Sequence, residues 1–247
     1  MLKDKVAIIT GGSRGIGYAI ARKFADNGAS LILIALHEER LSKAQKEIRK
    51  TGGNVEILFG DIAEPDFSQR IVKRTLEIFG TIDILVNCAG IITRTPVDSL
   101  SLKEWHRVID VNLHGTFYLS QAVLPVLCAK KYGKIINITS QMAKLPHPNA
   151  SPSYAVSKAG MVALTRHLAY HYAQYNICVN AIAPGSIDTD LLKTMPPEAR
   201  QRFRNAIPLQ RLGDPQEVGD LALFLASDNS NYITGATMNI SGGSLMD

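Results

Sequence analysis

The 247-residue sequence is short of several things, and each shortage closes off a class of protein. It has three cysteines, Cys88, Cys128 and Cys178, far apart and with no C-x-x-C pair. That speaks against a disulfide framework or a cysteine zinc site and fits free thiols in a reducing compartment. No H-E-x-x-H occurs. His167 and His171 stand at ligand spacing, but no third ligand lies near them in sequence, so no metal is expected. No apolar run is long enough to span a membrane. The apolar run at the N-terminus is too short for a signal peptide, and the expected location is the cytoplasm. Tryptophan is nearly absent; Trp105 is the one example and most simply packs a helix. Charge of one sign is also scarce, with 27 Lys and Arg against 22 Asp and Glu for a net +5. The charges are scattered, which suits small anionic ligands and argues against nucleic acid as a partner.

What is present is an ordinary globular composition, 46% hydrophobic and 20% charged, with enough chain for one large core. Short apolar runs rich in β-branched residues alternate with amphipathic stretches. Strands are expected at 6–10, 30–36, 54–59, 83–86, 134–139, 176–183 and 237–240, with helices between them. Runs apolar on both faces are what a parallel sheet covered by helices requires. No repeat or linker divides the chain, so 1–247 reads as one α/β domain.

The first strand, Val6 to Thr10, runs into Gly11-Gly12-Ser13-Arg14-Gly15-Ile16-Gly17 and then a helix stopped by Gly28. Strand, glycine-rich turn and helix let a backbone approach a pyrophosphate and aim a helix N-terminus at it. A sharp β-α turn with close helix packing is the plainer use of the same glycines. The second strand ends at Ala35-Leu36-His37 with no acid before Glu38. An acid there would hold both ribose hydroxyls and select NAD. Its absence, with Arg14 as a phosphate contact, tips the balance slightly toward NADP. After the third strand come Asp61 and Ile62, read either as adenine contacts or, for Asp61, as a cap of the helix near Pro65. The fourth strand ends in Asn87-Cys88-Ala89-Gly90, small residues that let a flat cofactor lie close. Cys88 has no histidine placed to activate it and reads as a buried filler.

Asn112 lies in a helical region from Leu102 to Lys130, at a seam spanning 110–113. Asparagine is disfavoured there, so it marks either a kink or a held water. Ser140 ends the fifth strand, where open α/β sheets place ligands, although a terminal serine can also bond its own loop. The proline-rich stretch 141–152 leads into a long helix, 154–174. Tyr154 and Lys158 are four apart and so share one helix face. An ammonium beside a phenol favours the phenolate, which makes the pair a candidate acid and base. A half-buried ring with a snorkelling amine is the plainer reading of that spacing. Pro184-Gly185 ends the sixth strand. The polar segment 186–207, with Pro196-Pro197, reads as a substrate lid. Asp214, Pro215 and Glu217 form a capping box for the helix to Ala226.

T-G-G-S-R-G-I-G at 10–17, N-C-A-G at 87–90, Asn112, Ser140, Y-A-V-S-K at 154–158 and V-N-A-I-A-P-G at 179–185 are followed by I-T-G and G-G near the C-terminus. In that order they resemble the short-chain dehydrogenase/reductase family over nearly the whole length. The resemblance implies a three-layer Rossmann fold, with a seven-stranded parallel sheet of order 3-2-1-4-5-6-7. It implies a homotetramer or dimer built partly on the helices at 102–130 and 154–174. The catalytic residues would be Asn112, Ser140, Tyr154 and Lys158. Tyr154 would exchange a proton with the substrate oxygen, and Ser140 would orient that oxygen. Lys158 would lower the Tyr154 pKa and hold the nicotinamide ribose, while Asn112 would hold a water linked to Lys158. Cofactor contacts would come from Gly11, Ser13, Arg14, Gly15, Ile16, Gly17, Leu36, Asp61, Ile62, Asn87, Ala89, Gly90, Tyr154, Lys158, Pro184, Gly185, Ile187 and Thr189. Asp61 and Asn87 would flank the adenosine.

Ser140 and Tyr154 are 14 positions apart, one more than is common in that family, which points to a reshaped substrate pocket. The pattern is similar to 3-oxoacyl carrier-protein reductases, and Lys130 and Lys131 could meet an acidic carrier. Tyr175 stands where those reductases commonly have a basic carrier contact. Q-Y-N-I-C-V-N-A-I-A-P-G also resembles sugar, polyol or sugar-acid dehydrogenases. A catalytically silent nucleotide-binding scaffold is the alternative of another class.

Overall fold

The computed structural model describes residues 1–146, 150–193 and 196–246, without the side chains of 191 and 193. Residues 147–149 of the proline-rich stretch and 194–195 of the expected lid lie outside the described residues. The strands are β1 (Val6–Thr10), β2 (Ser30–Ala35), β3 (Val55–Phe59), β4 (Ile84–Asn87), β5 (Gly133–Ile138), β6 (Ile177–Pro184) and β7 (Thr237–Ile240). They form one seven-stranded sheet in the order β3-β2-β1-β4-β5-β6-β7, every pairing parallel. The strand order reverses between β1 and β4, which opens a crevice at the carboxyl ends of those strands.

The helices α1 (Gly15–Asp26), α2 (Glu38–Lys50) and α9 (Pro215–Ala226) cover one face of the sheet. Those designated α3 (Pro65–Phe79), α4 (Leu102–Ile109), α5 (Gly115–Lys130) and α6 (Pro152–Tyr172) cover the other or lead to it. The alternation of the strands decides who packs where. Leu31 and Leu33 join Ile20 and Phe24 of α1 on one face, and Ile32 and Ile34 join Phe67 and Ile71 of α3 on the other. Burying each such side chain stabilises the fold by roughly 1.5–3 kcal/mol. The expectation of strands apolar and buried on both faces holds for the centre of the sheet and fails at its edges. Phe59 at the end of β3 is half exposed, and β7 is partly exposed throughout.

The seam expected at 110–113 is a π-helical turn, Asp110–His114, between α4 and α5. The extra residue in that turn lets α4 and α5 run on while turning Asn112 inward. The helix that bears Tyr154 and Lys158 begins two residues earlier than the spacing suggested. Ser151 caps it by accepting from the Tyr154 N–H at 3.4 Å, and Pro152 fills the first turn, where its missing N–H costs nothing. The capping box at Asp214 and Glu217 is present, with Asp214 accepting from Gln216 N and Glu217 from Asp214 N at 2.8 Å each. The polar segment 186–207 holds two short helices, α7 (Asp190–Lys193) and α8 (Pro197–Asn205).

Candidate active site

The crevice is a cleft of about 560 Å³, within the range of cofactor and substrate pockets. Its floor starts at the end of β1. Thr10 Oγ1 accepts from the N–H groups of Cys88 and Ala89 at 3.0 Å each, which binds the turn after β1 to the turn after β4. A Cβ on Gly17 would fall 2.3 Å from the Gly11 carbonyl oxygen, so only glycine allows α1 to start this close to β1. Arg14 is the N-cap residue of α1 and makes no side-chain cap bond, and the first turn carries no acid. The N–H groups there thus face the cleft without a competing carboxylate, an arrangement suited to phosphate. Thr189 lies over the same turn, 3.5 Å from where a Gly15 Cβ would stand. These residues fit a dinucleotide.

At the outer end the cleft is lined by Leu36, His37, Arg40, Gly60, Asp61, Ile62 and Arg107. Arg14, His37 and Arg40 are exposed, and no carboxylate among the described residues pairs with them. Asp61 has a partner the sequence did not point to. Its Oδ2 lies 2.7 Å from the Arg107 guanidinium, and its Oδ1 accepts from Ala63 N at 3.0 Å. Glu64, not Asp61, occupies the N-cap position of α3.

At the inner end Ser140, Tyr154 and Lys158 line the cleft together with Cys88, Gly90, Ile138, Gln141, Gly185 and Ile187. Lys158 is buried, and its Nζ donates to the Ile138 carbonyl at 2.8 Å and sits 5.8 Å from the Tyr154 ring centre. Burial lowers its pKa to about 8. Burial also raises the Tyr154 pKa, and the Ser140 hydroxyl, as a hydrogen-bonding neighbour, pulls it back down. Ser140 Oγ also accepts from Met142 N at 3.2 Å, so its loop bond and its position in the cleft coexist. Cys88 is pushed up to about 12 by burial, which keeps it a thiol.

Asn112 is fully buried and sits behind the cleft, not in its wall. Its Oδ1 accepts from Ile91 N at 2.8 Å, and its Nδ2 donates to Ile91 O and to Ser157 Oγ at 3.0 Å each. Its backbone carbonyl accepts from Thr116 Oγ1 at 2.8 Å. Both hydrogens of its Nδ2 are therefore spent on protein groups. Gly90 faces both residues. A Cβ there would stand 3.2 Å from Asn112 Oδ1 and 3.4 Å from Lys158 Nζ, closing the space between them.

Asn87 departs furthest from its expected place. It does not line the cleft; its Nδ2 donates to Ser120 Oγ at 3.1 Å and Asn137 Oδ1 at 2.9 Å, tying β4 to α5 and β5. The other expected cofactor contacts, from Gly11 through Thr189, all line the cleft. Arg40, Arg94, Arg107 and Gln141 line it too and went unread in the sequence. Arg40 had a usable signal, one turn into the helix after β2; the others had none. Among the described residues no cluster of His, Cys, Asp or Glu could hold a metal, and no helix is long and apolar enough to cross a membrane.

Comparison with known proteins gives a consistent picture. Residues 11–244 match a family model described as enoyl-(acyl carrier protein) reductase. The chain is 38% identical over 244 residues to a 3-oxoacyl-[acyl-carrier-protein] reductase of Chlamydia muridarum, covering 98% of each. It is 39% identical over 253 residues to the oxidoreductase UcpA of Escherichia coli O157:H7, covering 99% of this chain and 96% of that one. The crystal structure of a putative gluconate dehydrogenase from Agrobacterium tumefaciens superposes with a TM-score of 0.95 at 34% identity, over 100% and 98% of the two chains.

Proposed function

The chain belongs to the short-chain dehydrogenase/reductase family of NAD(P)-dependent oxidoreductases, and from that membership we propose that Tyr154 is its proton donor and acceptor in the interconversion of a secondary alcohol and a ketone. The carrying observation is that Tyr154, Ser140 and Lys158 line one end of the cleft whose other end is the glycine-rich turn of α1. A nicotinamide cofactor bound there supplies or takes the hydride. In reduction Tyr154 gives its phenolic proton to the substrate oxygen as the C=O bond becomes C–OH. Ser140 donates to the same oxygen and fixes it. Lys158, held by the Ile138 carbonyl, keeps a positive charge close to the tyrosine that loses its proton. Asn112 acts from behind by fixing Ile91 and Ser157.

Our first reading of the substrate is a 3-oxoacyl thioester, in keeping with the reductases that this chain resembles. Lys130 is a poor candidate for docking an acidic carrier, because its ammonium is bound to buried Asp83 and to Thr81. The second reading, oxidation of a sugar, polyol or sugar acid, is favoured by the solved gluconate-dehydrogenase-like relative and by an arginine at the substrate end of the cleft. NADP is the preferred cofactor on the strength of Arg14 and Arg40 beside Leu36, where an NAD-selecting acid would stand. A homotetramer or dimer is supported by Phe117 on α5 and Val156 and Tyr170 on α6, which leave a partly apolar surface exposed.

The test is Tyr154→Phe. Turnover should fall by about a thousandfold, with cofactor binding retained, and turnover equal to wild type refutes the assignment. Acetoacetyl thioesters assayed against sugars and polyols, with each cofactor, rank the two substrate readings.

A further inference from the structure

The inner end of the cleft carries a charged side chain that the reaction as proposed does not use. Arg94 lines the cleft, is exposed, and pairs with no carboxylate among the described residues. Of the other arginines that line the cleft, Arg107 is bound to Asp61, and Arg14 and Arg40 stand at the outer end.

The backbone that carries Arg94 is held firmly against the catalytic helix. Ile91 is gripped through both its N–H and its C=O by the Asn112 side chain. Thr93 meets Ser151 twice: its carbonyl accepts from Ser151 N at 2.8 Å, and its Oγ1 donates to Ser151 Oγ at 2.8 Å. Thr95 Oγ1 donates to Glu104 Oε2 at 3.0 Å on the far side. Ser151 is the N-cap of α6, three residues before Tyr154. Arg94 thus stands on a strap bolted on both sides, beside the start of the helix that bears the acid/base residue.

We propose that Arg94 anchors one anionic oxygen group of the substrate, a carboxylate or a phosphate, while the carbonyl or carbinol carbon faces Tyr154. This rests on the oxidoreductase reading above and adds the charge of the substrate to it. A guanidinium presents a planar fork of donors that matches either group with two parallel hydrogen bonds. Seated at an open cleft, its positive charge also draws anions in. The cleft then has two anion-binding ends. Arg14 and Arg40 serve the cofactor, and Arg94 serves the substrate.

The test uses two pairs of compounds, each with one member that carries an anionic group and one that lacks it. Gluconate and sorbitol share a carbon skeleton with and without a carboxylate. Acetoacetyl-4'-phosphopantetheine and acetoacetyl-pantetheine share a thioester with and without a phosphate. For each pair the ratio of kcat/KM, charged over neutral, is measured in wild type, Arg94→Gln and Arg94→Lys. In wild type one ratio should exceed unity. In R94Q that ratio should fall by about 10- to 100-fold, through KM and not kcat, with partial recovery in R94K. The pair that responds names the source of the anion. A wild type that prefers neither charged compound, or an R94Q that lowers charged and neutral members alike, overturns the proposal. The Tyr154→Phe variant separates the two failures. If it loses turnover while the R94Q ratio is unmoved, the acid/base assignment stands and the anchor is wrong.

Discussion

Lys158 Nζ donates to the main-chain carbonyl of Ile138 over 2.8 Å. That bond joins the second turn of α6 to the last residue of β5, two positions before Ser140. The lysine, the serine and the tyrosine are therefore placed by one strand end and one helix, and the lysine holds the two together.

The ammonium in that bond is disfavoured by burial, and its pKa is near 8 instead of 10.5. Below about pH 8 it is charged in both folded and unfolded chains, and the full cost of burying the charge weighs on folding. Between pH 8 and 10.5 the folded chain has released the proton that the unfolded chain still holds, so this cost fades as pH rises. In Lys158→Met the cost is absent. Urea unfolding of the cofactor-free protein at a series of pH values should show wild-type stability gaining on K158M across that window. Parallel curves would contradict it.

Ser140 is the neighbour that lowers the Tyr154 pKa against burial. In Ser140→Ala the phenol should titrate at higher pH, so the rise of oxidation rate with pH moves upward. Reduction, which needs the protonated phenol, should persist to higher pH. The rate at the optimum should drop by roughly 100-fold, the usual effect of deleting one donor to a reacting oxygen. The pH–rate profiles of kcat/KM in both directions check the shift.

Asn112 satisfies the N–H and C=O of Ile91 and bonds Ser157. Asn112→Ala leaves those buried groups unpaired and should destabilise the fold by about 2–4 kcal/mol. The strap at 91–95 should loosen with it. A lower urea midpoint together with faster amide exchange at Ile91 is the expected result.

Arg14, Leu36 and Arg40 all line the cleft. Replacing either arginine with alanine should weaken NADPH binding about tenfold, since each removes a charged hydrogen bond, and should leave NADH binding nearly unchanged. Titration of the four combinations checks this. An equal loss for both cofactors would remove the 2'-phosphate as their target.

Much of the molecule was legible because its determinants are local. The alternation of Leu31 and Leu33 with Ile32 and Ile34 foretells a strand covered on both faces. Asp214, Pro215 and Glu217 write their own helix start. The glycine turn at 11–17 announces a tight turn by its own composition, since a Cβ on Gly17 would meet the Gly11 carbonyl at 2.3 Å. Asn112 was legible as a misfit in a helix, and the π-helical turn is the form the misfit takes.

Periodicity and backbone freedom act over a few residues, so the succession of strands and helices, the glycine-rich turn and the spacing of Tyr154 and Lys158 can be read from the chain alone. What each polar side chain is bound to depends on the assembled fold. It took Asn87 out of the cleft and gave it to Ser120 and Asn137. It paired Asp61 with Arg107 from α4 and stood Arg94 beside the start of α6 through Thr93 and Ser151. Those partners are brought together by crossovers that return each strand beside one distant in sequence. A hydrogen bond of 3 Å is settled by where the whole sheet places its ends, and no local pattern carries that distance.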